Sequence, residues 1–310
     1  MKDAVLAVDL GGTNIRMAAV ADDGAILHLT RRPTPKNVTP DELISLTGEM
    51  ADECAAHISA DDRLVGIAFA APAPAAKDFD GVLTQLPNLP SVSGMNLRTA
   101  LEQRFSFPVT IENDANAAAI GENWLGASKG VDTSIIVTLG TGIGGGIIIN
   151  GEPHRGKDGT AGEIGHFCVV PDGHPCGCGS HGCVEQYASA TAILRMARES
   201  GLDAATSRDV YDAFQNGDER AIQVFSQMGT YLGIVLAGLV NTLNPDMIVI
   251  SGGVAAAWDA FIEPLKNEVH RRAFEAPAKS VKIVRTHLDD NAGILGAARS
   301  AFINAGTTVG

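Results

Sequence analysis

Two short segments of the chain share one construction, in which an apolar, strand-forming run stops at a glycine-rich turn and a second apolar run follows. The first is VDLGGTNIRM, which begins at Val8, and the second is VTLGTGIGGG, which begins at Val137. When the two are aligned, Gly11 falls opposite Gly140. Strand, glycine turn and strand is the pattern of a hairpin. Its recurrence predicts a duplicated unit.

Both glycine turns suit phosphate binding, because glycine permits positive φ and lets backbone N–H groups approach phosphate oxygens. Gly140, Gly142 and Gly145 satisfy the dinucleotide pattern GxGxxG, but that fold needs a helix next, and the run IIIN follows instead. The sequence contains no GxxxxGK(S/T) segment either. A third turn, with Gly252 and Gly253, follows an apolar strand and suits close approach to a flat or sugar-bearing group.

Carboxylates stand at the ends of two predicted strands. Asp9 lies beside the first glycine turn, where it suits Mg²⁺ and its waters or a turn-stabilising role. Asp114 leads directly into a helix, where it suits an N-cap or a side chain that projects into a cleft. Its polar neighbours Glu112, Asn113 and Asn116 favour the cleft, because carboxylates and amides bind vicinal sugar hydroxyls bidentately. Three further residues could extend this group: Asn88, Glu163 and Glu185.

Four of the five cysteines lie in one short stretch of the chain. Three of them and a histidine form the pattern H-x9-C-x-C-x4-C: His166, Cys176, Cys178 and Cys183. Three thiolates and one imidazole favour a tetrahedral Zn²⁺, and a full set of protein ligands makes that zinc structural. His174, His181 and Cys168 are alternative ligands. A metal-bound His166 would keep its other N–H as a donor for a substrate hydroxyl.

The composition narrows the class of partner. The chain has 310 residues and a formal net charge of -13. Nucleic acids and membrane surfaces are polyanions that proteins normally meet with a basic face, so the expected partner is a small molecule. The apolar run at the start is interrupted by Asp9 too soon for a signal peptide or membrane anchor, which predicts a cytoplasmic location.

Helices and strands are predicted along the remaining chain with no low-complexity linker. Helical spacing or end signals predict helices at residues 41–59, 96–105, 115–124, 190–200, 218–243, 258–271 and 292–305. Apolar runs between turn residues predict further strands at residues 63–70, 108–114, 246–253 and 281–286. The chain therefore belongs to the α/β class, and its length makes two domains more favourable than one.

Six segments occur in the order and spacing of one protein family: DLGGTNIR, ENDANAAAIGE, LGTGIGGGI, AGEIGH, CGCGSHGCVE and SGGV. On these motifs the sequence resembles the ROK family of sugar kinases, within the actin-like ATPase superfamily. The match spans nearly the whole chain. It implies a two-domain actin-like ATPase fold, which is a duplicated ribonuclease H-like fold, with a cleft between the domains and a zinc-braced loop. The implied domains are residues 1–114 plus a C-terminal helix at about 292–310, and residues 115–291.

The resemblance also implies roles for individual residues, with Asp114 as the catalytic base. The implied sugar contacts are Asn88, Asn113, Asp114, Glu163, His166 and Glu185. The implied phosphate contacts are Gly11, Gly12, Thr13, Gly140, Thr141 and Gly142. Asp9, Gly252 and Gly253 complete the expected nucleotide site, and the expected ligands are ATP, Mg²⁺ and structural Zn²⁺. The sequence departs from the family at Ala71, Ala73 and Ala190, where relatives commonly carry glycine.

The expected activity is transfer of the γ-phosphate of ATP to a hexose, with glucose preferred because Glu163, His166 and Glu185 can satisfy the hydroxyls at one edge of an unsubstituted pyranose. Other hexoses stay open as alternatives: N-acetylmannosamine, N-acetylglucosamine, allose and fructose. A sugar-sensing regulator without catalysis is the alternative from another class, although the family's repressors carry an N-terminal helix-turn-helix for which this sequence has no room. The family also implies a homodimer.

Overall fold

The computed structural model describes residues 2–35, 37–73 and 90–307, and Asn88 lies outside these ranges. The first sheet has the strand order β3-β2-β1-β4-β5. Its strands are β1 (Asp3–Leu10), β2 (Asn14–Ala21), β3 (Ile26–Pro33), β4 (Arg63–Ala71) and β5 (Val109–Asn113). The strands β1, β2 and β3 pair with one another in antiparallel fashion, whereas β4 is parallel to both β1 and β5.

The second sheet repeats this topology, with the order β10-β9-β6-β7-β8. Its strands are β6 (Ser134–Leu139), β7 (Ile143–Ile149), β8 (Glu152–Pro153), β9 (Met247–Ser251) and β10 (Lys282–Arg285). Again three antiparallel strands come first, and two parallel strands are then added beside the first of them. The two glycine turns hold the same place, between the first and second strands of each sheet, which confirms the predicted duplication.

Both faces of the central strands β1, β2 and β4 are largely buried, so these strands are mostly apolar, whereas the edge strand β3 is largely exposed. Leu6 and Val8 of β1 point to one face, which packs against α1 (Pro40–Ala55) and α2 (Leu97–Arg104). Alternate residues on the other face are small, and α10 (Ala292–Asn304) packs directly on them. Small side chains let a helix approach the sheet closely.

Most of the remaining helices cover the second sheet or pack beside it. They are α4 (Glu185–Ala188), α5 (Ala190–Glu199), α6 (Ser207–Gln215), α7 (Glu219–Leu243), α8 (Trp258–Arg272) and α9 (Glu275–Ser280). Among the described residues, α7 alone is long and apolar enough to cross a membrane, but 56% of its most apolar window is buried inside the protein. It packs against α8, as a core helix does. The short helices α4, α6 and α9 were not predicted from the sequence.

Two helices, α3 (Asp114–Trp124) and α10, pack on each other between the sheets. Their backbones touch at two glycines. A Cβ atom on Gly296 would overlap the carbonyl of Ala117, and one on Gly121 would overlap the carbonyl of Ala292. This close crossing positions the beginning of α3, and therefore Asp114, relative to both sheets.

We expect Gly296→Ala to destabilise the protein by about 1–3 kcal/mol, because the added methyl group must push α10 away from α3. Gly293→Ala is the matched control in the same helix, since a Cβ there meets no atom within 4 Å. The control should leave stability unchanged or raise it by up to about 1 kcal/mol through helix propensity. Thermal unfolding followed by circular dichroism measures both; equal melting temperatures for the two variants would contradict the close crossing.

Candidate active site

The N-terminus of α3 presents Asp114 to solvent beside the end of β5. Asn113 is the N-cap of the helix, and its Oδ1 accepts hydrogen bonds from the N–H groups of Ala115 and Asn116, both at 3.0 Å. The capping alternative for Asp114 is therefore wrong. Asp114 Oδ1 accepts from the neighbouring N–H of Ala115, at 2.8 Å. Its carboxyl group remains exposed and available to a ligand.

The surroundings of Asp114 make it a stronger base than an ordinary carboxylate. Solvent reaches the side chain, but protein atoms on most sides replace its hydration shell, and this desolvation raises its pKa to about 6. The negative charges of Asp9 and Glu163 raise the pKa further, against the hydrogen bond from Ala115. These carboxylates come from different parts of the chain, so folding brings three of the predicted site residues together.

This pKa predicts the pH dependence of turnover. The ionised carboxylate of Asp114 accepts a proton and the neutral acid does not, so kcat/KM should rise with pH and reach half its maximum near pH 6. Initial rates measured between pH 5 and pH 8 would show this inflection. A profile that is flat across pH 6, or one that falls through it, would argue against Asp114 as the base.

Asp9 lies at the end of β1, and its side chain is 33% exposed. Burial raises the pKa of Asp9, while the guanidinium of Arg16, 3.9 Å away, opposes that shift. Arg16 also donates to the carbonyl of Asp290 and, at 2.8 Å, to Asn291 Oδ1. Arg16 was not singled out from the sequence, although it belongs to the DLGGTNIR motif. Asp9 thus keeps an accessible carboxylate beside the first glycine turn.

Four potential metal ligands converge after β8. The ligand atoms of His166, Cys176, Cys178 and Cys183 all lie within 4.8 Å of one another. Cys176 Sγ is 3.6 Å from His166 Nδ1, and Cys178 Sγ is 3.7 Å from Cys183 Sγ. Zinc with Zn–S bonds of about 2.3 Å in a tetrahedron separates its sulfur ligands by about 3.8 Å, so these donors fit that ion.

The alternative ligands lie outside this group. His174 Nε2 contacts Arg195 Nη1 at 2.6 Å, and His181 pairs through its backbone with Pro175. Cys168 is exposed and is likewise not one of the four. Metal binding through Nδ1 would leave His166 Nε2 facing Glu163, whose carboxylate is 3.8 Å away. The histidine therefore connects the metal ligands to a predicted sugar contact.

Glu185 connects the same ligand group to the second glycine turn. Its Oε2 accepts a hydrogen bond from the N–H of Ile143 at 2.9 Å, and its Oε1 lies 4.0 Å from Cys176 Sγ. A Cβ atom at Gly142 would overlap the Glu185 carboxylate, so a larger residue there would displace that carboxylate from its present position. One carboxylate thus touches both the predicted phosphate turn and the predicted metal loop.

The predicted phosphate contacts form two compact turns. The N–H of Gly11 donates to the carbonyl of Asn14 at 3.1 Å, and the N–H of Gly140 donates to the carbonyl of Gly142 at 2.9 Å. Thr34 and Thr191 hold the turns from outside through their hydroxyl groups. Each turn is therefore braced from outside the hairpin that carries it.

The third glycine turn adjoins a small cavity. Gly252 has a φ of 85°, and a Cβ there would be 2.5 Å from the carbonyl oxygen of Leu139, so both conformation and space require glycine. Beyond it is a cavity of about 90 Å³. It is lined by Ile193, Ser207, Arg208, Tyr211, Phe225, Gly253, Val254, Ala256 and Ala257. Its mixture of apolar and aromatic walls suits a flat group.

A buried ion pair that the sequence did not reveal joins the two sheets beside Asp114. Glu112 of β5 is 3% exposed, and its carboxylate accepts from Arg155 Nε at 3.2 Å and from Arg155 Nη2. Glu112 Oε1 also accepts from the N–H of Asn113 at 3.1 Å. Arg155 follows β8 in the second sheet. The pair therefore ties the strand that carries Asn113 to the segment that leads into the metal loop.

The three departures from the family motif cause no backbone strain. None of Ala71, Ala73 and Ala190 has a positive φ. The carbonyl of Ala73 accepts from Asn113 Nδ2 at 3.3 Å, and the N–H of Ala190 donates to the carbonyl of Gly140 at 2.9 Å. Alanine is therefore compatible with the local backbone at each position.

Comparison with known proteins agrees with the predicted family and fold. The ROK family model matches residues 5–302. A glucokinase from Halalkalibacterium halodurans is 37% identical over 308 residues, covering 93% of this chain and 92% of that protein. The crystal structure of a ROK family glucokinase from Streptomyces griseus in complex with glucose and AMPPNP is 32% identical, has a TM-score of 0.81, and covers 96% of this chain and 99% of that one. The xylose repressor of Bacillus subtilis is 33% identical over 75% of this chain, which covers 60% of that repressor. The predicted fold is confirmed.

Proposed function

Because the chain belongs to the ROK family, we propose that it is an ATP-dependent kinase that phosphorylates glucose to glucose 6-phosphate. The observation that carries this proposal is the environment of Asp114. Its carboxyl group is exposed at the start of α3, has a pKa raised to about 6, and lies near Asp9 and Glu163. A carboxylate placed in this way can take the proton of a hydroxyl group as that group attacks phosphorus.

In the proposed mechanism, Asp114 accepts the proton of the sugar hydroxyl while the backbone N–H groups of the glycine turns bind phosphate oxygens. ATP and Mg²⁺ would supply the phosphoryl group and charge neutralisation, with Asp9 holding the ion or its waters. The cavity beside Gly253 would take the adenine ring. Closure of the two halves around Glu112 and Arg155 would exclude water.

The proposed sugar site consists of Asn113, Asp114, Glu163, His166 and Glu185, together with Asn88. His166 and Glu185 would be positioned by a structural zinc held by His166 and the three cysteines. The donor set of the four ligands and the spacing of their atoms support zinc. Carboxylates and an imidazole N–H offer both acceptors and a donor, as vicinal hydroxyls require.

We also propose the domain boundaries, the cellular location and the oligomeric state of the protein. The small domain would be residues 1–114 with the helix after residue 291, which the contacts of α10 with β1 and β4 support. Residues 115–291 would form the large domain. The protein would be a cytoplasmic homodimer that binds neither nucleic acid nor membrane, in keeping with its net charge of -13.

A panel of sugars in a coupled assay for ADP tests the substrate. We expect glucose to give the highest kcat/KM among glucose, N-acetylmannosamine, N-acetylglucosamine, allose and fructose. Rapid turnover of an N-acetylated hexosamine with none of glucose would overturn the assignment to glucose but keep the kinase.

A sugar-sensing regulator is the second candidate, and the similarity to the xylose repressor favours it. The intact carboxylate of Asp114 and the two braced glycine turns favour catalysis instead. The same assay separates the two: a regulator would bind sugar, for example in calorimetry, without producing ADP from ATP for any sugar in the panel.

A further inference from the structure

Two cysteines of the chain, Cys54 and Cys168, are not proposed metal ligands. Of these, Cys168 lies near the ligand group. It is opposite Cys183 in an isolated antiparallel bridge. The flanking hydrogen bonds run from the N–H of Val169 to the carbonyl of Gly182 and from the N–H of Val184 to the carbonyl of Phe167, both at 2.8 Å. Cys168 and Cys183 are therefore a non-hydrogen-bonded pair, in which both side chains point to the same face and the Cα atoms are about 4.5 Å apart.

A Cα separation of that size lies within the usual range of disulfides, about 4.4–6.8 Å. The thiol also lies against the segment that carries Cys183. A Cβ atom placed on Gly182 would be 3.4 Å from Cys168 Sγ, so the sulfur leans over the residue that precedes Cys183. Cys168 is exposed and Cys183 is buried. Of these two thiols, an oxidant in solution therefore reaches Cys168 first; Cys178 of the ligand group is exposed as well, but it is one of the proposed metal ligands.

We propose that Cys168 is an oxidative modification site, which forms a disulfide with Cys183 and thereby removes one ligand from the metal. The inference rests on the proposed zinc site. The oxidant would be a hydroperoxide, such as hydrogen peroxide.

The chemistry balances in two steps. The sulfur of Cys168 attacks one oxygen of the peroxide and the O–O bond breaks, which leaves a sulfenic acid and, with the thiol proton, one molecule of water. The thiolate sulfur of Cys183, which would give up its bond to the metal, then attacks the sulfur of Cys168. The S–O bond breaks, and the departing hydroxide takes a proton from solvent to form a second molecule of water. The two sulfurs are oxidised by two electrons in total, and the peroxide is reduced by two.

The disulfide would affect the proposed sugar site because Cys183 is only two residues before Glu185 in the chain. Cys183 is followed by Val184 and Glu185, and Glu185 holds the N–H of Ile143 at the end of the second glycine turn. Pulling Cys183 toward Cys168 also separates it from Cys178, its neighbour in the ligand group. Oxidation should therefore release the metal and weaken sugar binding together.

The test uses the full chain loaded with zinc and treated with hydrogen peroxide. Zinc release is followed with a chromogenic chelator, and disulfides are mapped by mass spectrometry after alkylation of the free thiols. We expect a Cys168–Cys183 disulfide in the wild type, and zinc release about tenfold slower in Cys168→Ser, because Cys183 then lacks a partner thiol outside the ligand group. Cys54→Ser is the matched control, since Cys54 is buried in the first sheet's core and should not affect release.

Three results would overturn the proposal: release from Cys168→Ser at the wild-type rate, Cys168 recovered only as an unpaired sulfinic or sulfonic acid, or Cys183 paired with Cys176 or Cys178 instead. If the untreated protein contains no zinc, the zinc site is the part that fails. Disulfide mapping of the metal-free chain then still decides whether Cys168 pairs with Cys183.

Discussion

Asp114→Asn should bind sugar and ATP nearly as well as the wild type while its kcat falls by a factor on the order of 10² to 10⁴, the usual effect of removing a general base. Asparagine has almost the same size, and its side-chain oxygen can still accept the hydrogen bond that Asp114 Oδ1 accepts from Ala115. It cannot take a proton from the attacking hydroxyl. Steady-state kinetics and calorimetry with glucose would show the loss in kcat without a matching loss in affinity.

One measurement and one control variant distinguish a loss of catalysis from a loss of stability. Asn113, and not Asp114, caps α3, so Asp114→Asn should not lower the melting temperature. The substitution removes a carboxylate whose pKa is raised by desolvation and neighbouring negative charges, so at neutral pH the melting temperature should stay the same or rise. Thr39→Ala removes a true N-cap at α1 and should cost about 1 kcal/mol of stability without changing kcat. An Asp114→Asn protein that turns over normally would refute the assignment of the base.

Cys178→Ser should lose the metal and raise the KM for the sugar by about 10- to 100-fold, the range seen when the groups that orient metal ligands are removed. Cys178 Sγ lies next to Cys183 Sγ within the ligand group, so its removal leaves three donors. His166 then loses the orientation that directs its Nε2 toward Glu163. Elemental analysis and the dependence of rate on sugar concentration measure the two effects.

Cys168→Ser is the control for this variant, because Cys168 lies nearby but outside the ligand group. It should keep both the metal and the KM. A wild-type protein that is purified without stoichiometric zinc and is fully active would show that the cysteine loop needs no metal for sugar binding.

Much of the candidate site could be predicted because its parts are local. The cysteine ligands lie within eight residues, Cys176 to Cys183, with glycines that let the chain turn between them. The glycine turns follow apolar strands directly, and the repeat of strand, turn and strand was visible without a structure. Most helices with end signals or helical spacing were also predicted. The missed helices α4 and α9 are short and have few apolar positions, whereas α6 has a capping box at Thr206 and apolar residues at Val210, Ala213 and Phe214, a start signal and spacing that could have identified it.

The sequence by itself therefore determined the duplicated α/β construction, the places of the turns and the group of metal ligands, because each depends on residues close together in the chain. Only the tertiary structure decided which distant groups meet. It brought Asp9 and Glu163 near enough to Asp114 to raise its pKa, and it paired Arg155 with Glu112. Such contacts depend on how two sheets pack around α3 and α10, and the strength of an electrostatic interaction depends on distance and burial, neither of which is written in local spacing.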